Sequence, residues 1–196
     1  DLIWRGVEIT TGAQREHRYD VLKAQAEEKG LAPLKYNIEI KADPDYDGGI
    51  EGESWPVYNE FVDICVPVLQ SFNLGDRLIV QSFDERALSY MHIKYPELIL
   101  SYLAGGGEVE WLENDEMDFD RVIGKIGFYP EWFSPANIFV SKTTVDEAHR
   151  RGMKVVTWTV DETAEIKRLM DLKVDGIISN HPDSLLLCTR GYIDAR

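Results

Sequence analysis

Residues 35–41 (Lys-Tyr-Asn-Ile-Glu-Ile-Lys) alternate strictly: Ile38 and Ile40 fall on one face of a strand, and Asn37, Glu39 and Lys41 on the other. The segments around this strand switch between two periods. A helical stretch over 16–29 ends at Gly30 and leads through Pro33 into the strand. Over 58–72, apolar residues at Tyr58, Phe61, Val62, Cys65, Val66, Leu69 and Phe72 mark a core-facing helix, which Pro67 is expected to kink or shorten. Residues 78–83 read as a buried strand, and Asp84 caps a helix running to His92. Further strands are expected over 98–103, 132–134, 154–160 and 174–179, with helices over 119–126, 143–151 and 162–173. Gly152 closes the second of these helices, and Ile166, Leu169, Met170 and Lys173 share one side of the third.

Six strands alternating with helices, without consecutive hairpins, imply right-handed parallel crossovers, hence a doubly wound sheet or a closed barrel. The polar residues choose between them. Glu39, Lys41, Gln81, Ser82, Thr159, Ser179 and Asn180 all stand at or near the C-terminal ends of the expected strands. An open sheet buries both faces against helices, whereas a barrel points such residues into its mouth, where these folds keep their chemistry. A barrel with two strands missing is the expectation, leaving edges at 35–41 and 176–179 unless Leu2, Ile3 and Val7 supply a substitute strand.

Composition adds limits. The chain has 196 residues, 44% of them hydrophobic, enough for one domain over 1–196 with a core that needs no disulfide. A formal charge of −14 argues against nucleic acid as a partner, so an anionic substrate needs a local cation or a metal. Cys65 and Cys188 make no disulfide framework, and no apolar run is long enough to span a membrane. The acidic stretches 43–47 and 108–120 lack an ordered calcium-loop spacing and read as solvated surface. Trp55, Trp111 and Trp132 are expected in or near loops on the mouth side, where they can contact an alcohol group.

Five segments, in order, resemble glycerophosphodiester phosphodiesterases: Tyr36-Asn37-Ile38-Glu39-Ile40-Lys41, Ile79-Val80-Gln81-Ser82-Phe83-Asp84, 148–155, Trp158-Thr159-Val160 and 174–183. The likeness spans roughly 19–187. It implies an α/β fold, a TIM-like (β/α)8 barrel of which strands three to eight are represented. It also implies metal-dependent hydrolysis of glycerophosphodiesters to glycerol 3-phosphate and an alcohol, with Mg²⁺ or Ca²⁺ as cofactor, a small-molecule glycerophosphodiester as partner, and a periplasmic or secreted location although no signal peptide is seen. The family's His-Arg-Gly, His-Asp and Glu-x-Asp motifs have no match. Trp4-Arg5-Gly6 has Trp in place of His, and Glu8-Ile9-Thr10 lacks the second carboxylate. These 196 residues alone are therefore expected to be inactive.

By the same resemblance Glu39 is the metal-ligating carboxylate, Lys41 the cation on the phosphate, Trp158 an aromatic lining the cleft, and Gln81 and Ser82 residues shaping the mouth. Asn180 stands where the family often has Asp. One carboxylate binds a hard divalent ion weakly, so Glu39 needs partners. Of the four histidines, His17, His92 and His149 are expected in helices or helix ends, and only His181 at the mouth end. The competing class is a degenerate, non-catalytic barrel that binds a phosphorylated ligand or a partner protein.

Overall fold

A computed structural model of the chain describes residues 2–4, 7–8, 35–48, 55–105, 112–113 and 116–194. The expected helix over 16–29, with His17, lies outside these, as do Trp111 and residues 108–110, 114 and 115 of the acidic run around it. The strands are β1 (Leu2–Trp4), β2 (Val7–Glu8), β3 (Lys35–Glu39), β4 (Leu78–Ser82), β5 (Ile99–Ala104), β6 (Leu112–Glu113), β7 (Glu116–Met117), β8 (Trp132–Pro135), β9 (Lys154–Thr157) and β10 (Gly176–Ile177). The α-helices are α1 (Tyr58–Gln70), α2 (Glu85–Lys94), α3 (Phe119–Gly124), α4 (Lys142–Arg150), α5 (Thr163–Leu172) and α6 (Pro182–Asp194).

Strands β3, β4, β5, β8, β9 and β10 are parallel neighbours in that order, each joined to the next through a helix. The ring closes in the order β1-β2-β10-β9-β8-β5-β4-β3. Closure comes from the first residues, where β1 lies antiparallel to both β2 and β3, and β2 runs parallel to β10. The two edges expected to stay open are therefore paired in backbone terms, with Leu2 opposite Tyr36 and Val7 opposite Ile177.

Alternation along each strand separates two environments. Val80, Leu100, Tyr102, Phe133 and Val155 point outward and pack with Leu88, Met91, Phe119, Val122 and Ala148 of the surrounding helices. Their neighbours Asn37, Gln81, Ser101, Ser134 and Val156 face the interior and are buried. A second core joins Val145, Ile166, Leu169, Ile177 and Leu185 beneath α4, α5 and α6.

Several expectations are corrected. Pro67 does not stop α1, for three more residues follow it in the helix, which ends at Gln70 and so falls two residues short of the expected 72. Phe72, placed in the core stripe by periodicity, lies past the helix end and is 56% exposed. Lys173 is no part of the buried side of α5, for it is the left-handed residue that ends that helix, φ 70°. Trp132 is the first residue of β8, hence at the floor of the barrel and not at its mouth, under the Lys154 ammonium 5.1 Å from its ring. The acidic stretch at Asp43–Asp45 is exposed, as expected of solvated surface, but it is ordered: Pro44–Tyr46 is a 3₁₀ turn capped by Asp43, and the half-buried Asp47 pairs with Arg86 at 2.6 Å. Helix α6 and the small β6–β7 hairpin were not foreseen. Among the described residues no helix is long and apolar enough to cross a membrane.

Candidate active site at the barrel mouth

Parallel strands carry their C-terminal ends to one rim, and β3 and β4 build the first part of the site there. The Ile40 N–H donates to the Gln81 carbonyl at 2.8 Å, and Gln81 lies beside Glu39 in register. Ser82, one residue on, turns to the opposite face. Its Oγ donates to the Ile40 carbonyl at 2.7 Å and accepts from the Asp84 N–H at 3.1 Å, so this hydroxyl ties the two strand ends together. Asp84 in turn caps α2 and holds Arg86, whose second partner is Asp47. The hydrogen bonds that the Arg86 guanidinium donates to Asp84 raise its pKa above its already high ordinary value against the opposing effect of burial, and Asp47 adds to this.

On the lumen side, Asn37 Nδ2 donates to Gln81 Oε1 at 2.6 Å. Asn37 Oδ1 and Ser101 Oγ, both buried, have no hydrogen-bond partner among the described residues. Above them stands Glu39, its side chain about one quarter exposed (25%), with the Lys41 Nζ 3.8 Å from its carboxylate and the lysine side chain 79% exposed. The lysine is thus a wet cation held near the rim, among the described residues, by one weak pairing, and is available to an anion.

Trp158 follows β9. Its indole Nε1 donates to the Ser134 carbonyl at 2.7 Å, and its ring meets Phe83 edge-on, centroids 5.4 Å apart. Phe83 follows β4 and Trp158 follows β9, three places away around the ring, so this aromatic pair reaches across the mouth. Gly105, at the end of β5, has φ +101°, and a Cβ there would fall 2.6 Å from the Phe139 ring, which explains glycine at this point of the rim.

The far side of the mouth is locked by Asp161. Its carboxylate accepts from the Asn180 N–H (2.8 Å), the Asn180 Nδ2 (2.9 Å) and Ser179 Oγ (3.1 Å). Burial alone pushes its pKa up, but the hydrogen bonds from Asn180 and Ser179, with the nearby His181, outweigh it and hold the carboxyl below its ordinary value. Asn180 therefore serves as a donor to the Asp161 carboxylate through both its N–H and its side-chain amide. His181 is the one described histidine at this rim, for His92 stacks on Phe128 at 3.9 Å and His149 pairs with Asp175 at 2.8 Å.

Beside Lys41 opens a cleft of about 220 Å³ lined by Asp43, Asp47, Trp55, Tyr58 and Phe61 as well as the lysine itself. Of these, Lys41 was anticipated as a site residue and Trp55 as a mouth-side aromatic contacting the alcohol group. Nothing in a single sequence announces that a loop after β3 and the first turn of α1 meet there. Among the described residues no group of three or more His, Cys, Asp or Glu side chains converges to hold a metal. Glu39 offers one carboxylate, and Mg²⁺ or Ca²⁺ takes about six oxygens or more. The described residues by themselves do not make a divalent centre.

A family model for the glycerophosphoryl diester phosphodiesterase family matches residues 13–184. Among curated proteins, the glycerophosphodiester phosphodiesterase of Caldanaerobacter subterraneus subsp. tengcongensis is 26% identical over 161 residues, 81% of this chain and 62% of that protein. Among solved structures, one from Silicibacter pomeroyi DSS-3 assigned as a glycerophosphoryl diester phosphodiesterase covers 90% of this chain and 55% of its own, at 27% identity and a TM-score of 0.66. The Oleispira antarctica phosphodiesterase, solved in complex with its product sn-glycerol-3-phosphate, shares the fold at 18% identity and a TM-score of 0.53 over 68% of this chain and 50% of its own. The chain spans little more than half the length of such relatives. A 42-residue stretch, 21% of the chain, is 57% identical to one tenth of the aspartate–tRNA(Asp) ligase of Pyrococcus horikoshii. A match of that extent shows no shared family or activity.

Proposed function

The chain belongs to the glycerophosphoryl diester phosphodiesterase family, and on that premise we propose that its barrel mouth binds glycerophosphodiesters for hydrolysis to glycerol 3-phosphate and an alcohol. The observation that carries this reading is the family match across 13–184, with Glu39, Lys41 and Trp158 placed around one rim. The product held by the Oleispira antarctica enzyme is of the class proposed here.

In this reading Lys41 sets its ammonium against a phosphate oxygen and stabilises the negative charge that grows there as water or a nucleophile attacks. Trp158 and Phe83 give the apolar carbons of the glycerol a wall and keep water from that side. Gln81 and Ser82 act at one remove: Gln81 through its amide in the lumen, Ser82 by fixing the strand end that presents Lys41. Glu39 is proposed as one ligand of a Mg²⁺ or Ca²⁺ ion whose remaining carboxylates would come from outside the described residues, and which would polarise the phosphodiester when bound. Hydrolysis needs a group to take a proton and one to protonate the departing alcohol. The described rim contributes a single histidine, His181, so residues 1–196 alone are proposed to be inactive.

The test is release of glycerol 3-phosphate from glycerophosphodiesters, with and without chelator, by residues 1–196 and by any longer polypeptide of the same gene that contains them. Chelator-sensitive release from the longer protein alone is the expected result. No release from either overturns the activity, and release by residues 1–196 overturns the claim that they lack essential groups. Calorimetric titration of Glu39→Gln in the active protein should show a lost or greatly weakened divalent ion, and unchanged affinity would remove Glu39 from that role.

A further inference from the structure

Lys41 shares its surroundings with carboxylates. The loop that follows it carries Asp43, Asp45 and Asp47, and two of these, Asp43 and Asp47, line the cleft of about 220 Å³ that opens beside the lysine. Asp43 and Asp45 are exposed, whereas the Asp47 side chain is only 21% exposed, so its charge is the less screened by water and salt. A carboxylate in that place is a ready counter-ion for an ammonium in the same cleft. Lys41 does not take it: its one pairing among the described residues is with Glu39, at 3.8 Å. Asp47 is held from another side, where Arg86 Nη1 donates to it at 2.6 Å.

The seating of Arg86 explains why this arrangement persists. Its Nε and Nη2 donate to the two oxygens of Asp84, at 3.0 and 2.6 Å, and that carboxylate is almost wholly buried. Its guanidinium lies over Tyr58, 4.6 Å from the ring centre, and Tyr58 in turn meets Tyr90 edge-on with centroids 6.2 Å apart. A planar fork gripped along one edge by Asp84 and backed by an aromatic ring leaves Nη1 aimed at a fixed point, and Asp47 occupies it. We propose that Arg86 is a positioning residue of the mouth: by engaging Asp47 it keeps that carboxylate off Lys41 and leaves the lysine ammonium to the phosphate of the substrate; the proposal rests on the reading of the mouth given above. On a chain of charge −14, an acidic loop without this restraint competes with an anionic substrate for the same lysine.

The experiment releases Asp47 without disrupting the rim. Arg86→Gln alone strands the buried Asp84 charge, so Asp84→Asn accompanies it and keeps a capping oxygen at the start of α2. Residues 1–196 and the variants are titrated with inorganic phosphate and followed by NMR at the Lys41 amide and side chain. The unaltered protein is expected to saturate, and Lys41→Ala to abolish the response. The double variant should bind phosphate about tenfold more weakly, and adding Asp47→Asn should restore affinity to within about twofold. Asp47→Asn alone should not weaken binding. A merely structural tie predicts the opposite, a loss on Asp47→Asn alone and no rescue, and Arg86 acting as a second phosphate ligand also predicts no rescue. Absence of rescue, unchanged affinity in the double variant, absence of saturation, or indifference to Lys41→Ala each overturns the proposal. None of these measurements needs turnover: rescue in a protein that hydrolyses no diester would leave Arg86 assigned and the activity refuted. Hydrolysis without rescue would do the reverse.

Discussion

At the scale of single residues, Lys41 bears the heaviest functional claim on the slightest structural tether. Its one described partner is Glu39 at 3.8 Å, and its side chain is 79% exposed, so its removal should leave folding nearly untouched. In an active protein, Lys41→Ala should lower kcat/KM by about 10²–10³, the usual effect of deleting one donor to a developing oxyanion, with an unchanged melting temperature. Lys41→Arg should recover part of the loss, since charge is retained and geometry altered. Steady-state kinetics of the two variants checks this, and a full-rate Lys41→Ala enzyme would take the lysine out of the mechanism. Ser82 presents the contrary case at the neighbouring strand end: its buried hydroxyl serves two backbone groups, and its loss disturbs the position of the rim before it touches chemistry.

At the scale of elements, the rim is held by side chains that join one strand-end loop to the next. Asp161, after β9, accepts three hydrogen bonds from Ser179 and Asn180, after β10. Because its folded pKa lies below the ordinary value of 3.8, the carboxylate stabilises the folded state above that value. The stabilisation disappears as pH falls through the lower folded pKa. Asp161→Ala should therefore destabilise the protein at pH 7, and the gap in melting temperature between the two proteins should narrow toward pH 3. Thermal melts across that range, with amide exchange at Asn180 as the local probe, decide it: a gap that stays constant means that ionisation of Asp161 is not the source. The same logic of joined ends explains why helices α2 and α4 begin where they do, with Asp84 accepting from Arg86 N–H and Ser141 from Thr144 N–H at the two N-termini.

At the scale of the whole molecule, closure of the barrel depends on a handful of residues at the start of the chain. Strands β1 and β2 pair with β3 and β10 through only a few register positions, yet without them both partners would present unpaired N–H and C=O groups. Deleting residues 1–8 should leave the helices largely formed and convert the protein to dimers or larger species. Light scattering with far-UV circular dichroism on the two proteins tests this, and a monodisperse, equally stable shortened chain would show that the hairpin is dispensable. The ring also sets the site, because Phe83 and Trp158 meet only when the sheet curls far enough to bring β4 opposite β9.

The six parallel strands and their helices were legible in the residues because burial writes a local period: two for strands whose alternate side chains face helix or lumen, about 3.6 for helices with one buried stripe. The resemblance of five short segments then identified the family and pointed to Glu39, Lys41 and Trp158. Local period fails where no period operates. It could not show Phe72 in water, since the helix had already ended, whereas Trp132 at the floor follows once the strand over 132–134 runs parallel to its neighbours. The hairpin closure, the Asp161 lock, the arch of Phe83 on Trp158 and the cleft between the loop after β3 and α1 each join residues distant in the chain. Their chemistry exists only after folding, when contacts between distant segments, which no run of neighbouring residues encodes by itself, bring their side chains within bonding range.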